Sequence, residues 1–339
     1  MSSALPDTSQ KVKRSAFADF VMRLVREKPL GTVCGVIVLL FIFTAIFADL
    51  LAPYAYDDNH PADALEGPSA EYILGTDNLG RDMLSRVIYG ARISVVVGFT
   101  ATALSLLISI VVGILTGFIG GKFDMVVQRF VDAWMCFPGI IFLIAMVSLI
   151  GPGIWQVVLV MGLVFGVAGS RIVRSAVIAI KENTYIYAAI AVGSSTPKIL
   201  FRHILPNVMA PIIILFSVRV AAIIMAEASL SFLGLGIPPP TPSWGGMLSG
   251  TGRSYMFLAP WMAIWPGLAL SIVVYSINMF GDAVRDLLDP KLRGGVGRYG
   301  KGVAERAMTK ARGKIGASSY CSIDVSVFFN SDNSTSYYP

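Results

Sequence analysis

The chain has 339 residues, 55% of them hydrophobic and only 14% charged, and its 27 Lys and Arg against 21 Asp and Glu give a formal net charge of +6. With a mean hydropathy of +0.70, this balance excludes an ordinary soluble domain and points to an integral membrane protein. The basic excess is explained by membrane topology and calls for no nucleic-acid partner.

Residues 1–29 form a basic N-terminal segment. The 22-residue run LGTVCGVIVLLFIFTAIFADLL that follows is longer than a signal-peptide core and is closed by no A-x-A site, so it reads as a retained anchor. It opens a series of six candidate spans at about residues 30–52, 93–120, 131–150, 154–175, 207–236 and 259–284, each near the length a hydrocarbon core demands of a helix. The third and fourth are separated only by Gly151-Pro152-Gly153, a tight turn. With the N-terminus in the cytoplasm, 22 Lys and Arg fall in cytoplasmic segments and 4 in outer ones, Arg219 lying within a span. The positive-inside rule then places both termini in the cytoplasm.

Between the first two spans, GRDMLSRVIYGAR puts Met83, Val87 and Ile88 on one helical face and Arg81, Asp82, Ser85 and Arg86 elsewhere. This predicts a short amphipathic helix on the outer membrane surface. The second span ends in VVGILTGFIGG, where Gly113, Gly117 and Gly121 form a small-residue packing seam. Between the fourth and fifth spans lies YAAIAVGSSTPKILFRHILPN, residues 187–207. Its pattern predicts a helix over 176–192 that stops at Gly193, and a second short helix capped by Ser195 or Thr196 and begun by Pro197. The two meet at an exposed elbow. In the fifth span Arg219 lies about 20 Å beyond Pro206, and Glu227 about 31 Å, at 1.5 Å per residue. Arg219 must face a cavity, a partner helix or another charge, whereas Glu227 is placed as an anchor near the outer boundary.

Residues 285–339 read as a cytoplasmic, disordered tail. Within it KGVAERAMTKARGKI, residues 301–315, suits either a basic helix on anionic lipid or a solvated segment. Gly295-Val-Gly-Arg-Tyr-Gly300 fits G-x-G-x-x-G but follows no strand, and Gly302 stands where a P-loop needs Ser or Thr, so no nucleotide site is expected. The Asn333-Ser334-Thr335 triplet would be inert on a cytoplasmic tail. Cys34, Cys136 and Cys321 suggest neither disulfide nor zinc site. His60 and His203 are predicted on opposite sides of the membrane, so no catalytic triad or metal cluster is expected, and no cofactor.

Three blocks carry a family likeness: LGTDNLGRDMLSRVIYGARIS at 74–94, the elbow stretch at 187–207, and ASLSFLGLGIPPPTPSWGGML at 228–248. Over residues 17 to 294 the chain resembles the second of the two paired permeases of bacterial dipeptide, oligopeptide and nickel ABC importers. The resemblance implies an all-α polytopic membrane protein with six transmembrane helices and the type I ABC importer permease fold. The first helix and an extracytoplasmic segment would cover 30–92. The core would cover 93–284, with a cytoplasmic coupling loop at 176–206. The elbow is similar to the EAA loop of such permeases, which docks on the ATPase: Ala188, Ala189, Gly193, Leu205 and Pro206 match, Tyr187 stands where the family usually has Glu, and His203 replaces an apolar residue. The motif residues Gly75, Thr76, Asp77, Gly80, Arg81 and Asp82 belong to outer elements that, by resemblance, meet the binding protein and shape the outer gate. Implied partners are a homologous permease, two ATP-binding subunits, an extracytoplasmic solute-binding protein and membrane lipid, with ATP hydrolysis in the partners and none in this chain. The implied solute is a peptide, with nickel chelates as the alternative. A self-sufficient secondary transporter would instead show inverted repeats and charged groups at the midplane, of which only Arg219 is seen.

Overall fold

The computed structural model describes residues 16–288. The Gly295–Gly300 motif, the 301–315 stretch, Cys321 and the Asn333 triplet lie outside the described residues. Regular structure among the described residues is helical, with one isolated bridge between Thr76 and Asp82. Helix α1 (Ala16–Glu27) leads into α2 (Pro29–Ile46), which starts on a proline, where the missing N–H costs nothing. After Phe47 a single turn, α3 (Ala48–Leu51), completes the first expected span.

Helix α4 (Met83–Ile119) is 37 residues long. The amphipathic helix expected at the outer surface is therefore not separate: it runs straight into the second span. Both of its faces are covered, Met83 at 2% exposure and Ser85 at 0%. The third span is also revised. Helix α5 (Gly121–Met135) and α6 (Gly139–Ile150) meet at 90° across Cys136-Phe137-Pro138. Proline forces the preceding residue out of the helical region and offers no donor, so one continuous helix over 131–150 cannot form. At 12 residues, α6 is about 18 Å long, short of a hydrocarbon core of about 30 Å.

Helix α7 (Ile154–Lys181) begins after the expected turn, with Gly151 and Gly153 at φ of 100° and 151°. The expected 176–192 helix breaks at Glu182-Asn183 and resumes as α8 (Thr184–Ala191). Next come α9 (Thr196–Ile199), a π turn over Leu200–Ile204 and α10 (Leu205–Phe232), a nearly continuous apolar stretch from Thr196 to Phe232. The chain closes with α11 (Trp244–Leu248), α12 (Gly250–Ser254) and α13 (Trp261–Leu288). Among the described residues five helices are long and apolar enough to cross a membrane, or there are six spans if the bent α5–α6 pair counts as one.

Lipid offers helices no hydrophobic reason to associate, so close packing has to hold the bundle. Helices α4 and α7 show how. A Cβ on Gly113 would lie 2.7 Å from both the Ser170 carbonyl and Val173, and one on Gly117 would lie 2.9 Å from Val177. Small residues of α7 answer in kind: Ser109 Oγ donates to the Gly166 carbonyl at 2.7 Å. The predicted seam is thus internal, and Gly121 is not part of it, since it lies past the end of α4 with open space around it. At one edge α2 and α13 run antiparallel, tied by Lys28 to Asp286 at 2.6 Å.

Candidate functional site

The bundle presents two distinct ends. At one, α8, α9 and the π turn form the elbow. Its hydrogen bonds explain Gly193: the Ser194 N–H reaches the Ala189 carbonyl (3.1 Å) and the Gly193 N–H reaches Ile190 (2.9 Å), with Gly193 at φ +82°. This left-handed ending satisfies the orphan carbonyls of α8 and favours glycine. Ser195 is the N-cap of α9 but makes no side-chain cap bond, and Pro197 sits at the second helical position, one later than expected. The expected second short helix instead continues through the π turn into α10.

Pro206 accounts for that turn. In α geometry its ring would press on the Arg202 carbonyl; the wider turn relieves this, and the Leu205 N–H bonds back to Leu200. Asn207 adds a side-chain bond to the His203 carbonyl (2.6 Å) and meets the Tyr185 hydroxyl at 3.3 Å, stitching α8 to α10. Ile186, Ile199, Ile204 and Val208 are buried against Val173 and Val177, which anchors the elbow to the bundle. Its tip is apolar and bare: Val192 is 86% exposed and Phe201 72%, with Tyr187 and Ile190 also exposed. Ala188, Gly193, Pro197 and Pro206 are exposed too, and Ala189, His203 and Leu205 half-buried. All eight elbow residues singled out from the sequence thus fall in one structural unit.

Beside the elbow, α5 turns its charged face to α7. Arg174 pairs with Asp124 through Nε at 2.6 Å and Nη2 at 2.5 Å, and Arg171 pairs with Asp132. Lys181 donates to the Phe118 carbonyl at 2.6 Å, a cation on the last turn of α4. No sequence signal short of the fold itself pairs these residues.

The other end is built from the 52–82 and 233–260 connections. Here the Gly75–Asp82 motif is a folded knot. Thr76 is fully buried; its hydroxyl accepts from the Glu66 N–H (2.8 Å), and its carbonyl receives the Trp261 indole N–H (3.0 Å). Asp77 Oδ1 takes the N–H groups of Leu79 and Arg81, at 2.8 and 3.0 Å. Asp82 caps α4 by accepting from the Ser85 N–H at 2.7 Å and its hydroxyl at 2.6 Å. At Gly80, φ is +74° and a Cβ would lie 1.8 Å from the His60 carbonyl oxygen. Trp244 seals the junction, its indole bonded to the Val87 carbonyl at 3.0 Å. Tyr72 is buried and donates to Asp63 (3.0 Å); burial, then that carboxylate, push its phenol up to about 12.

Within the bundle the two charges of the fifth span differ from each other. Arg219 is half-buried and stacks on the Phe165 ring, 5.2 Å from its centroid, beside Gly169. A cation over an aromatic face is stabilised by the ring quadrupole, which meets the requirement for a favourable neighbour. Glu227 is not a boundary anchor: it is 1% exposed, with one oxygen accepting from Ser231 Oγ at 2.7 Å. At that exposure the carboxylate is closed off from the surface of the chain.

Comparison with known proteins agrees with this architecture. Residues 109–294 match the model of the binding-protein-dependent transport system inner membrane component, and residues 15–68 match the N-terminal TM domain of oligopeptide transport permease C. The chain is 39% identical to a dipeptide transport system permease protein of Alkalihalophilus pseudofirmus over 85% of its own length and 94% of that protein. It is 40% identical to a glutathione transport system permease protein of Pectobacterium atrosepticum, over 86% of this chain and 97% of the other. Among solved structures, the inward-facing MetNI methionine ABC transporter superposes with a TM-score of 0.51 at 18% identity, covering 61% of this chain and 98% of that one. That likeness concerns the fold alone. With an all-helical bundle and matched family models on the page, the chain belongs to the binding-protein-dependent transport system inner membrane components, as a multi-pass permease subunit of an ABC importer.

Proposed function

We propose that this permease carries short peptides, with glutathione within that class, inward across the cytoplasmic membrane. The observation that carries the reading is the extent of likeness to relatives named for dipeptide and glutathione transport, which spans 94% and 97% of their own lengths. No observation favours a nickel chelate or a self-sufficient secondary transporter.

In this reading both termini and the elbow lie in the cytoplasm. The bare apolar tip, with Val192, Phe201 and Tyr187, is the dock for one of two ATP-binding subunits, which hydrolyse the ATP. Tyr187 in place of a carboxylate makes that contact apolar. A homologous permease completes the membrane unit, and a solute-binding protein delivers the peptide to the end built around Gly75–Asp82. Arg219 would then stand along the path of the solute. The test is reconstitution with the neighbouring subunits in vesicles, measuring uptake of labelled dialanine and glutathione. Uptake should require both ATP and the binding protein. Uptake sustained by an ion gradient with the ATPase subunits absent would overturn the proposal.

A further inference from the structure

Between the 77–81 turn, the start of α4 and the 231–250 segment lies a cavity of about 450 Å³. That is the size of a small-molecule site. Its lining is largely apolar, including Met83, Ile237 and Met262, and the charged residues in it are Asp77, Arg81 and Arg86. Both guanidiniums lean on one oxygen. Arg81 Nε and Nη2 lie 2.6 Å from Asp77 Oδ2, and Arg86 Nε lies 3.6 Å from it. The second Asp77 oxygen is already taken by backbone N–H groups. Arg86 Nη1 is spent on the Tyr56 carbonyl at 3.0 Å, which leaves Arg81 Nη1 and Arg86 Nη2 with no acceptor among the described residues.

These side chains are only 12%, 10% and 5% exposed for Arg81, Arg86 and Asp77. In the cavity wall two cations therefore face one anion, the nearby Asp82 carboxylate being turned away into the α4 cap on Ser85, and the cavity face is left positive where water screens it poorly. Such a charge is costly until an anion joins it, and guanidinium forks match carboxylates best. Glu227 does not supply that anion: it lies behind Ser231 and does not line the cavity. The same wall also holds Asn78, whose Oδ1 is buried and unpaired and so offers an acceptor for an N–H group.

From this arrangement we infer that the cavity binds the C-terminal residue of a small peptide, its carboxylate on Arg81 and Arg86 and an amide N–H on Asn78. The choice of a peptide rests on the transport reading above; the unbalanced charge does not. At about 450 Å³ the cavity has room for a whole dipeptide, which favours the solute's own carboxylate over an acidic side chain of the binding protein.

The experiment uses the full chain in lipid nanodiscs, titrated calorimetrically with dialanine and with its C-terminal amide. Dialanine should bind at least about tenfold more tightly than the amide, and Arg81→Gln should weaken it about tenfold. Asp77→Asn keeps an oxygen for the Leu79 and Arg81 N–H groups while removing a negative charge, so it should tighten binding severalfold. A purely structural role for the cluster would move both variants the same way, which would overturn the inference, as would equal affinity for acid and amide. If dialanine does not bind but Arg81→Gln lowers the affinity of the binding protein for the assembled transporter, the site takes a protein carboxylate and the solute inference falls. Dialanine uptake by the wild-type assembly separates the two readings: intact uptake with no charge dependence at the cavity sinks this inference alone.

Discussion

At the scale of single residues, the knot around Gly75–Asp82 makes sharp demands. Gly80→Ala combines a left-handed backbone with a Cβ placed 1.8 Å from a carbonyl oxygen, and should cost about 2 kcal/mol or more, seen as a lower thermal midpoint. Gly193 is a contrasting case, because nothing lies within 4 Å of its would-be Cβ. Gly193→Asp carries only the backbone strain of about 1 kcal/mol, and Asp tolerates that region better than most. It should insert and fold, yet weaken copurification of the ATP-binding subunits and abolish uptake. Undiminished docking and transport would remove the elbow from the coupling path. Tyr72 offers a test by pH. Its folded phenol ionises near 12 and an unfolded one near 10, so the unfolded state loses its proton first. The stabilisation is complete below about pH 10 and disappears as pH rises towards 12. Thermal melts across that interval should fall less steeply for Tyr72→Phe than for the wild type.

At the scale of elements, the π turn is the feature with the plainest chemical cause. Pro206→Ala restores an N–H and removes the ring clash, so the turn should tighten to α geometry and rotate α8 relative to α10 by roughly 100° per residue of register. The pair Tyr185→Cys and Asn207→Cys, whose native side chains meet at 3.3 Å, reports this. Spin labels on the two cysteines should give a different interspin distance in Pro206→Ala than with Pro206 present, and an unchanged distance would mean that the turn does not depend on the proline. The spans were legible because a run of about 20 apolar residues has few soluble uses, and Gly193 was legible because it lies where a helical pattern stops. The break at Cys136-Phe137-Pro138 shows in the sequence only as a proline, because apolarity is continuous across it. The burial of Glu227, and the sharing of Asp77 by Arg81 and Arg86, were not legible. Both depend on loops returning from far along the chain, and local periodicity carries no trace of that.

At the scale of the whole molecule, the split of basic residues predicts which end faces which compartment. In a background with Cys34, Cys136 and Cys321 replaced by Ser, single cysteines at Ala64 and Phe257, both exposed near the knot, should react with an impermeant maleimide added to intact cells. A cysteine at Ser195 should react only after lysis. Labelling of Ser195→Cys from outside would invert the orientation, and with it the assignment of the elbow to the ATPase.

Helix α4 is longer than a bilayer crossing requires. Its 37 residues make a rod of about 56 Å, nearly twice the thickness of a hydrocarbon core of about 30 Å. The Asp82 cap and the Arg81–Asp77 turn clamp one tip, while Lys181 on the Phe118 carbonyl holds the other. The glycine contacts with α7 run from Leu104 against Gly162 to Gly117 against Val177, so the two helices are locked together over the elbow-side half of the rod and move as one body. A tilt of that body by about 5° about its elbow end would carry the Met83 tip, about 50 Å away at 1.5 Å per residue, by about 4 Å.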